Sequence, residues 1–448
     1  MLSIKNILIS SILFVPLNGY SLEGFDALNL NNLGSFSMDE EEYEDEEESL
    51  WSLSGFADVR YGVRTRKAIH QKTASLGEAR FQIQADRPLF EGDFQVTLDG
   101  LIDPVFGRYN LDHIQGSGLL DLRTLYFSQE LTDSIDIKFG RQILTWGTGD
   151  LMFINDLFPK DWNSFFIGRD EEYLKAPSDA FKVSYFSDVA NLDVVYTPQF
   201  DNDRYLDGRR VSYYSGTLGR VVGQDGLSIA NTRVDAFDED ELSVRLYKNI
   251  KGYETAGYLY SGYWKSPQGQ TASGTAYFPE MNVYGASVRG PVAVGIGNIE
   301  LGYYDSIEDD DGRNANVRNS ELRFLVGYEQ ELLPELTGAF QWYTERMMNY
   351  DGYRNNLPAG SVQKDKTRQV FTIRLTKFMM NQNLRLSLFN FYSPTDQDGY
   401  ARPNIQYKID DNWRVEGGGN IFYGADSASF FGQFVSNSNL YLSARYSF

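Results

Sequence analysis

The sequence predicts an all-β fold: a transmembrane, antiparallel, up-and-down β-barrel of about 16–18 strands with an inward-folded constriction loop. Three observations predict it. Segments of about ten residues that alternate apolar with polar recur from Trp51 to the end, and a period of two marks a strand with two different faces. Beyond residue 20 no run of 18 apolar residues exists, which excludes helical spans. A barrel wall remains allowed, because only alternate residues of each strand meet lipid. The last nine residues set Leu440, Leu442, Ala444, Tyr446 and Phe448 on one face against Tyr441, Ser443, Arg445 and Ser447 on the other, and the chain ends on an aromatic residue.

Bulk properties narrow the field further. A chain of 448 residues normally implies two or three soluble domains, yet no helix–strand alternation or composition shift divides it after Trp51. A large barrel accommodates that length as one unit, since its interior need not be a solid core. With no Cys, disulfides, thiolate nucleophiles and thiolate metal sites are ruled out. The two histidines, His70 and His113, leave almost nothing for imidazole metal sites. A net charge of −21 argues against nucleic acid as a partner.

Residues 1–21 read as a secretory signal peptide: Lys5, then the apolar Ile7–Leu17, then the small residues Gly19 and Ser21 for cleavage. Residues 22–50 read as an acidic, disordered periplasmic leader centred on Asp39–Glu48, where adjacent carboxylates repel and no basic residue offsets them. Two accounts of the leader stand: a solvated tail, or a docking segment for a basic periplasmic partner. Residues 51–448 form the barrel.

The strand segments then follow in order. Trp51–Arg64, Ala79–Asp86, Phe94–Ile102, Leu120–Gln129, Ser134–Gln142, Ala180–Phe186, Asn191–Thr197, Glu241–Lys248 and Tyr253–Trp264 make the first half. Met281–Arg289, Val294–Tyr304, Glu321–Glu329, Leu336–Thr344, Thr367–Lys377, Leu384–Phe391, Ile405–Ile409, Trp413–Tyr423 and Asn439–Phe448 make the second. Their length suits a tilted strand crossing a bilayer. Tyr61, Tyr126, Tyr303, Tyr328, Trp342 and Tyr423 fall toward segment ends, where interfacial girdles belong. Short links such as Thr132–Asp133, Ser187–Ala190, Leu332–Glu335 and Asp410–Asn412 alternate with long polar ones such as Gln199–Glu239, Lys265–Glu280 and Glu345–Lys366. Periplasmic turns and extracellular loops alternate in this way. A large soluble sandwich would share the strand pattern, but not the signal peptide together with the terminal Phe.

The ending resembles the closing-strand signature of Gram-negative outer-membrane barrels. That resemblance implies that the outer-membrane assembly machinery reads Phe448, Tyr446 and Leu442.

Residues 140–177 break the alternation. Gly140-Arg141-Gln142 runs into Trp146-Gly147-Thr148-Gly149-Asp150, then through Phe153–Pro159 to Lys175-Ala176-Pro177. Connections this long are functional or disordered, and one this aromatic is costly in open water, so it is expected to fold inward across the pore. The pieces Phe139-Gly140-Arg141-Gln142, Trp146-Gly147 and Phe430-Phe431-Gly432-Gln433-Phe434 resemble an uncharacterised group of Gram-negative outer-membrane barrels related to the alginate-export and substrate-selective porins. The resemblance implies a barrel with a constriction loop after an early strand. It names no solute, and it leaves open partnership with an export or lipid and hydrophobic-compound transfer system. The acidic leader is not part of that pattern.

Opposite the clear apolar faces lie Arg60, Arg80, Arg123, Lys138, Arg245, Arg323, Arg374, Arg385, Arg414 and Arg445, the pore-lining candidates. Acidic residues share those faces, so one account is a mixed-charge wall held by cross-strand pairs. The other is a transverse field, with this basic ladder facing the constriction loop's Asp150, Asp156, Asp161, Asp170, Glu171 and Glu172 beside Trp146. Glu308-Asp309-Asp310-Asp311-Gly312 lacks the spaced ligands and closing Glu of a calcium loop. No Gly-x-Ser-x-Gly lies near His70 or His113, so hydrolytic chemistry is not expected. The expected protein is a non-enzymatic outer-membrane porin for small polar solutes, with outer-membrane lipid and the assembly machinery as partners and no metal or cofactor.

Overall fold

The computed structural model describes residues 51–448 apart from 69, 108, 110–115, 117 and 234. The signal segment 1–21, the leader 22–50 and His113 lie outside the described residues.

Eighteen strands form one sheet. The first nine are β1 Ser52–Arg64, β2 Ala74–Leu89, β3 Gly92–Ile102, β4 Leu120–Thr132, β5 Ile135–Gln142, β6 Ser178–Tyr185, β7 Asn191–Thr197, β8 Glu241–Ile250 and β9 Tyr253–Tyr263. The others are β10 Glu280–Val292, β11 Gly295–Ser306, β12 Glu321–Leu333, β13 Leu336–Met347, β14 Thr367–Met379, β15 Leu384–Ser393, β16 Asp398–Lys408, β17 Trp413–Tyr423 and β18 Asn439–Ser447. Each pairs antiparallel with its sequence neighbours. β18 closes the cylinder on β1, with Phe56 opposite Ser447 and Arg64 opposite Asn439. At this seam the Gly55 and Phe448 backbones exchange hydrogen bonds of 3.0 Å in both directions. The Phe448 ring stacks on Phe81, with centroids 5.8 Å apart.

The exposure pattern shows which solvent each face was selected for. On β1, Val59 is 63% and Tyr61 58% exposed, whereas Asp58 is 4% and Arg60 2% exposed. Charges inside and large apolar side chains outside invert the arrangement of a soluble protein. The same inversion runs round the wall, from Phe81 on β2 through Ile299 on β11 and Ile373 on β14 to Leu442 on β18. A soluble sandwich cannot carry that surface; a barrel whose outer solvent is hydrocarbon requires it.

Turns and loops segregate to opposite ends. At the turn end, Phe90 (φ 57), Lys251 (φ 53), Ala293 (φ 50) and Glu335 (φ 61) have left-handed backbones, as the primed turns of tight hairpins demand. The long connections at the other end build a hairpin of Tyr213–Ser215 with Arg220–Val222 and a small patch of Ala230–Asn231, Gly269–Gln270 and Ala276–Tyr277.

Three departures from the sequence reading have physical causes. The strand expected at Ile405–Ile409 begins seven residues earlier, at Asp398; Pro403 interrupts its pairing to β17 and masks the pattern. Tyr126 belongs to the lumen face instead of the girdle: the ladder bulges at Thr97/Leu98 opposite β4, and Lys138 sits 3.5 Å over its ring. The lumen face is also not uniformly solvated. Toward the loop end, Phe391, Tyr400 and Phe422 point inward and pack with Phe165, Phe166, Phe431 and Phe434 of two inserted loops. The Tyr400 and Phe422 rings stack with centroids 4.3 Å apart.

Candidate functional site: the inward loop

Residues 143–177, between β5 and β6, fold into the barrel. Two residues before the end of β5, Gly140 has a φ of +115 and a contact with the Leu125 carbonyl that leave no room for a Cβ. A short helix, α1 Trp162–Ile167, is capped by Asp161, whose carboxylate accepts the Ser164 N–H at 2.8 Å. It ends at Gly168 (φ 87), which lies against the Tyr441 ring. A 3-10 turn, Glu171–Leu174, follows. The loop closes on itself through Asp161 N–H to Leu174 O at 2.7 Å and Ala176 N–H to Pro159 O at 3.1 Å.

Two sets of wall residues tie the loop across the lumen. On one side the buried Glu300 of β11 accepts hydrogen bonds from Thr148 N–H (3.0 Å), Gly149 N–H (3.0 Å), Asn155 N–H (2.8 Å) and the Asn155 amide (2.9 Å). Gln341 of β13 reads the backbone of Asp150 in both directions, each bond 2.9 Å. Asn298 donates to Thr148 O, and the Tyr304 hydroxyl donates to Ile154 O. On the far side Arg60 donates to Gly168 O at 2.6 Å, Tyr400 to Phe165 O at 3.1 Å and Asn439 to Phe166 O at 3.1 Å. Arg123 holds the Glu172 and Lys175 carbonyls at 3.1 and 3.0 Å.

The acidic residues meet the wall arginines in pairs. Asp150 lies 2.9 Å from Arg374, which also grips Glu329. Asp170 bridges Arg414 (2.8 Å) and Arg445 (3.4 Å), Glu172 reaches Arg445 (2.9 Å), and Glu171 reaches Arg402 (3.0 Å). Asp156 turns into the loop itself, toward Lys160 at 2.8 Å, and Asp161 lies between the loop's Arg169 at 3.8 Å and Arg204 of the β7–β8 connection at 3.6 Å. Trp146 is buried edge-on against Phe158, with centroids 5.0 Å apart.

Other predicted wall residues pair with carboxylates of the wall strands. Arg80 pairs with Glu78 and Asp99 beneath the Tyr173 ring, Arg245 with Asp193 at 2.7 Å, and Arg323 with Glu321 at 3.0 Å. Arg60 bridges Glu416 at 3.1 Å. Arg385 is half-buried on β15. Arg402, Glu300 and Gln341 were missed. Arg402 fell outside the strand as read; Glu300 shares its face of β11 with Asn298 and Gln341 shares its face of β13 with Thr337, and those polar positions were the available signal.

Between the loop and β10–β14 lies a cavity of about 410 Å³. Cations (Arg289, Arg374, Lys175) and anions (Asp150, Glu171, Glu329) both line it, with Gly147–Gly149 forming one rim. Burial pushes the Asp150 carboxyl up to about 6; Arg374 opposes this, and Glu171 and Glu329 add to it. Burial acts on Asp170 in the same direction, but Arg445, Arg414 and Arg60 overcome it and hold that carboxyl below its ordinary value.

No protein-family model and no curated protein matches the chain. Among solved structures, OccAB3 of Acinetobacter baumannii is similar at 10% identity and TM-score 0.51, over 89% of this chain and 99% of that one. The outer membrane channel DcaP of the same organism is 11% identical at TM-score 0.42, over 89% and 97%. A mutant porin of Rh. blastica is 10% identical at TM-score 0.38, over 89% and 100%. Identity at this level speaks to fold, and the chain has the fold of a Gram-negative porin-type β-barrel.

Proposed function

We propose that the protein is an outer-membrane channel through which small polar solutes diffuse passively and with weak selectivity. Its N-terminal signal would deliver it across the inner membrane, and Phe448, Tyr446 and Leu442 would present it to the assembly machinery. The observation that carries the reading is a loop tied to opposite walls of the barrel with a charged cavity beside it, lined by Asp150, Arg374 and Arg289. About 410 Å³ is near the small end of the range that holds small molecules.

Both signs of charge line the passage, which favours modest ion selectivity. Opposed charges also order water, and displacing that water opposes apolar solutes. Most of the predicted basic ladder is already paired with carboxylates, Arg60, Arg80, Arg245 and Arg323 with those of the wall and Arg374, Arg414 and Arg445 with those of the loop, which further supports weak selectivity. Liposome swelling with a series of sugars, amino acids and phosphate tests the proposal. Swelling should fall with solute size across all three classes, and failure of every solute to swell the vesicles would overturn it.

A further inference from the structure

The turn end of the barrel carries more exposed apolar surface than a rim standing in water accommodates. Eighteen strands leave seventeen connections, nine at the loop end and eight at the turn end. Five of those eight turns place an apolar residue at or beside the tip: Phe90 is 91%, Val294 84%, Val189 79%, Leu333 62% and Met380 61% exposed. The other three have Leu131, Ile250 and Ile409 at the ends of β4, β8 and β16, exposed by 50%, 50% and 55%. Single exposed apolar residues are ordinary, but a closed ring of them marks an interaction surface.

The occupant follows from continuity with the outer belt. On β10 the outward Tyr284, Val288 and Val292 lead to Val294, and on β12 Leu322 and Val326 lead to Leu332 and Leu333; all are exposed. Tyr284 to Val294 is a step of ten residues, and at ~3.3 Å per residue and a tilt of ~40° that covers ~25 Å along the axis. Outer-membrane barrels offer lipid an apolar band of about that height. Measured from the upper aromatic residues, the hydrocarbon layer therefore reaches down to the turns and does not stop above them. Glu91, Asp188, Lys251 and Asp410 share the turns with the apolar tips, the mixture of charged and apolar groups that a headgroup layer takes.

We infer that the ring of turns is seated at the headgroup–acyl boundary of the periplasmic leaflet, where phospholipid covers it and fixes the depth of the barrel. The inference rests on the reading of the chain as an outer-membrane barrel.

The sequence lacks cysteine, so single nitroxide labels can be placed cleanly in the full protein. Phe90→Cys, Val189→Cys, Val294→Cys and Met380→Cys are labelled and reconstituted in phosphatidylethanolamine–phosphatidylglycerol vesicles. Ile299→Cys serves as the mid-wall reference and Val362→Cys as the long-loop reference. Power saturation then compares collisions with oxygen and with a water-soluble nickel chelate. The turn labels should show an oxygen-to-nickel ratio several-fold above that of Val362→Cys and below that of Ile299→Cys. Turn labels equal to Val362→Cys, with Ile299→Cys still shielded, overturn the inference while the barrel reading stands. A nickel-accessible Ile299→Cys overturns both.

Discussion

Glu300 and Asn155 are joined twice: the same carboxylate oxygen accepts the Asn155 backbone N–H at 2.8 Å and its side-chain amide at 2.9 Å. One is a wall residue and the other lies in the middle of the inward loop, 145 positions away in sequence. The second carboxylate oxygen takes the Thr148 and Gly149 N–H groups. A single buried anion therefore satisfies the turn that brings the loop off the wall and fixes the width of the passage.

Glu300→Ala orphans those donors inside the barrel. Each buried donor left unsatisfied costs about 1–3 kcal/mol, partly recovered by water. The variant should unfold at a lower temperature in detergent and pass more current per channel. Glu300→Gln, which keeps an acceptor oxygen, should lie between the two in both measurements.

Asp150 makes the passage respond to pH. Its folded-state value of about 6 lies above the ordinary 3.8, so between about pH 4 and 6 the folded protein binds a proton that the unfolded chain has released. This group's contribution to stability therefore falls as pH rises through that window and is recovered as pH falls. Asp201, also pushed up to about 6 by burial, adds to the same trend but does not line the cavity. Below pH 6 the passage loses one negative charge beside Arg374, so cation preference should decrease between pH 7 and 5. Reversal potentials under a salt gradient read this shift, and Asp150→Asn should remove most of it.

Arg445 is surrounded by carboxylates: Glu172 at 2.9 Å, Asp58 at 3.3 Å and Asp170 at 3.4 Å. Reversing its charge with Arg445→Glu places like charges where three ion pairs stood. The acidic turn should detach from β18, and single-channel records should become noisy. Glu172→Arg in the same chain should quieten them, because it restores one pair in the opposite sense. Independent effects of the two changes would count against the contact.

Phe166 anchors the aromatic filling toward the loop end, with centroids 4.8 Å from Phe434, 5.3 Å from Phe422 and 5.5 Å from Tyr400. Phe166→Ala should cost about 3–5 kcal/mol, read as a lower unfolding temperature. Conductance should change less than in Glu300→Ala, since Phe166 does not line the cavity.

The barrel was legible because its signal is local. Alternation along β7 (Asn191–Thr197) and β17 (Trp413–Tyr423) places both strands where the structure has them, since lipid on one side fixes the register of every residue. β16 was half lost because Pro403 breaks the ladder and the pattern together. The inward course of residues 143–177 was legible from aromatic content that open water would not tolerate. How the loop is held was not. Glu300 looks like any charge on a strand until Thr148 and Asn155 are folded against it. The aromatic filling was also hidden: Phe391 and Phe422 share the lumen face with Arg385 and Arg414, Tyr400 lies ahead of the segment as read, and nothing local sets these rings against an inserted loop. Whether an apolar face meets lipid or an inserted loop depends on partners far away in sequence.

Planar-bilayer recording of the purified protein, side by side with Glu300→Ala, asks whether a loop tied across the lumen leaves a narrow open passage. The native protein should give discrete current steps at pH 7 and the variant larger ones. A native protein that inserts but gives no steps, with Glu300→Ala equally silent, would contradict that expectation.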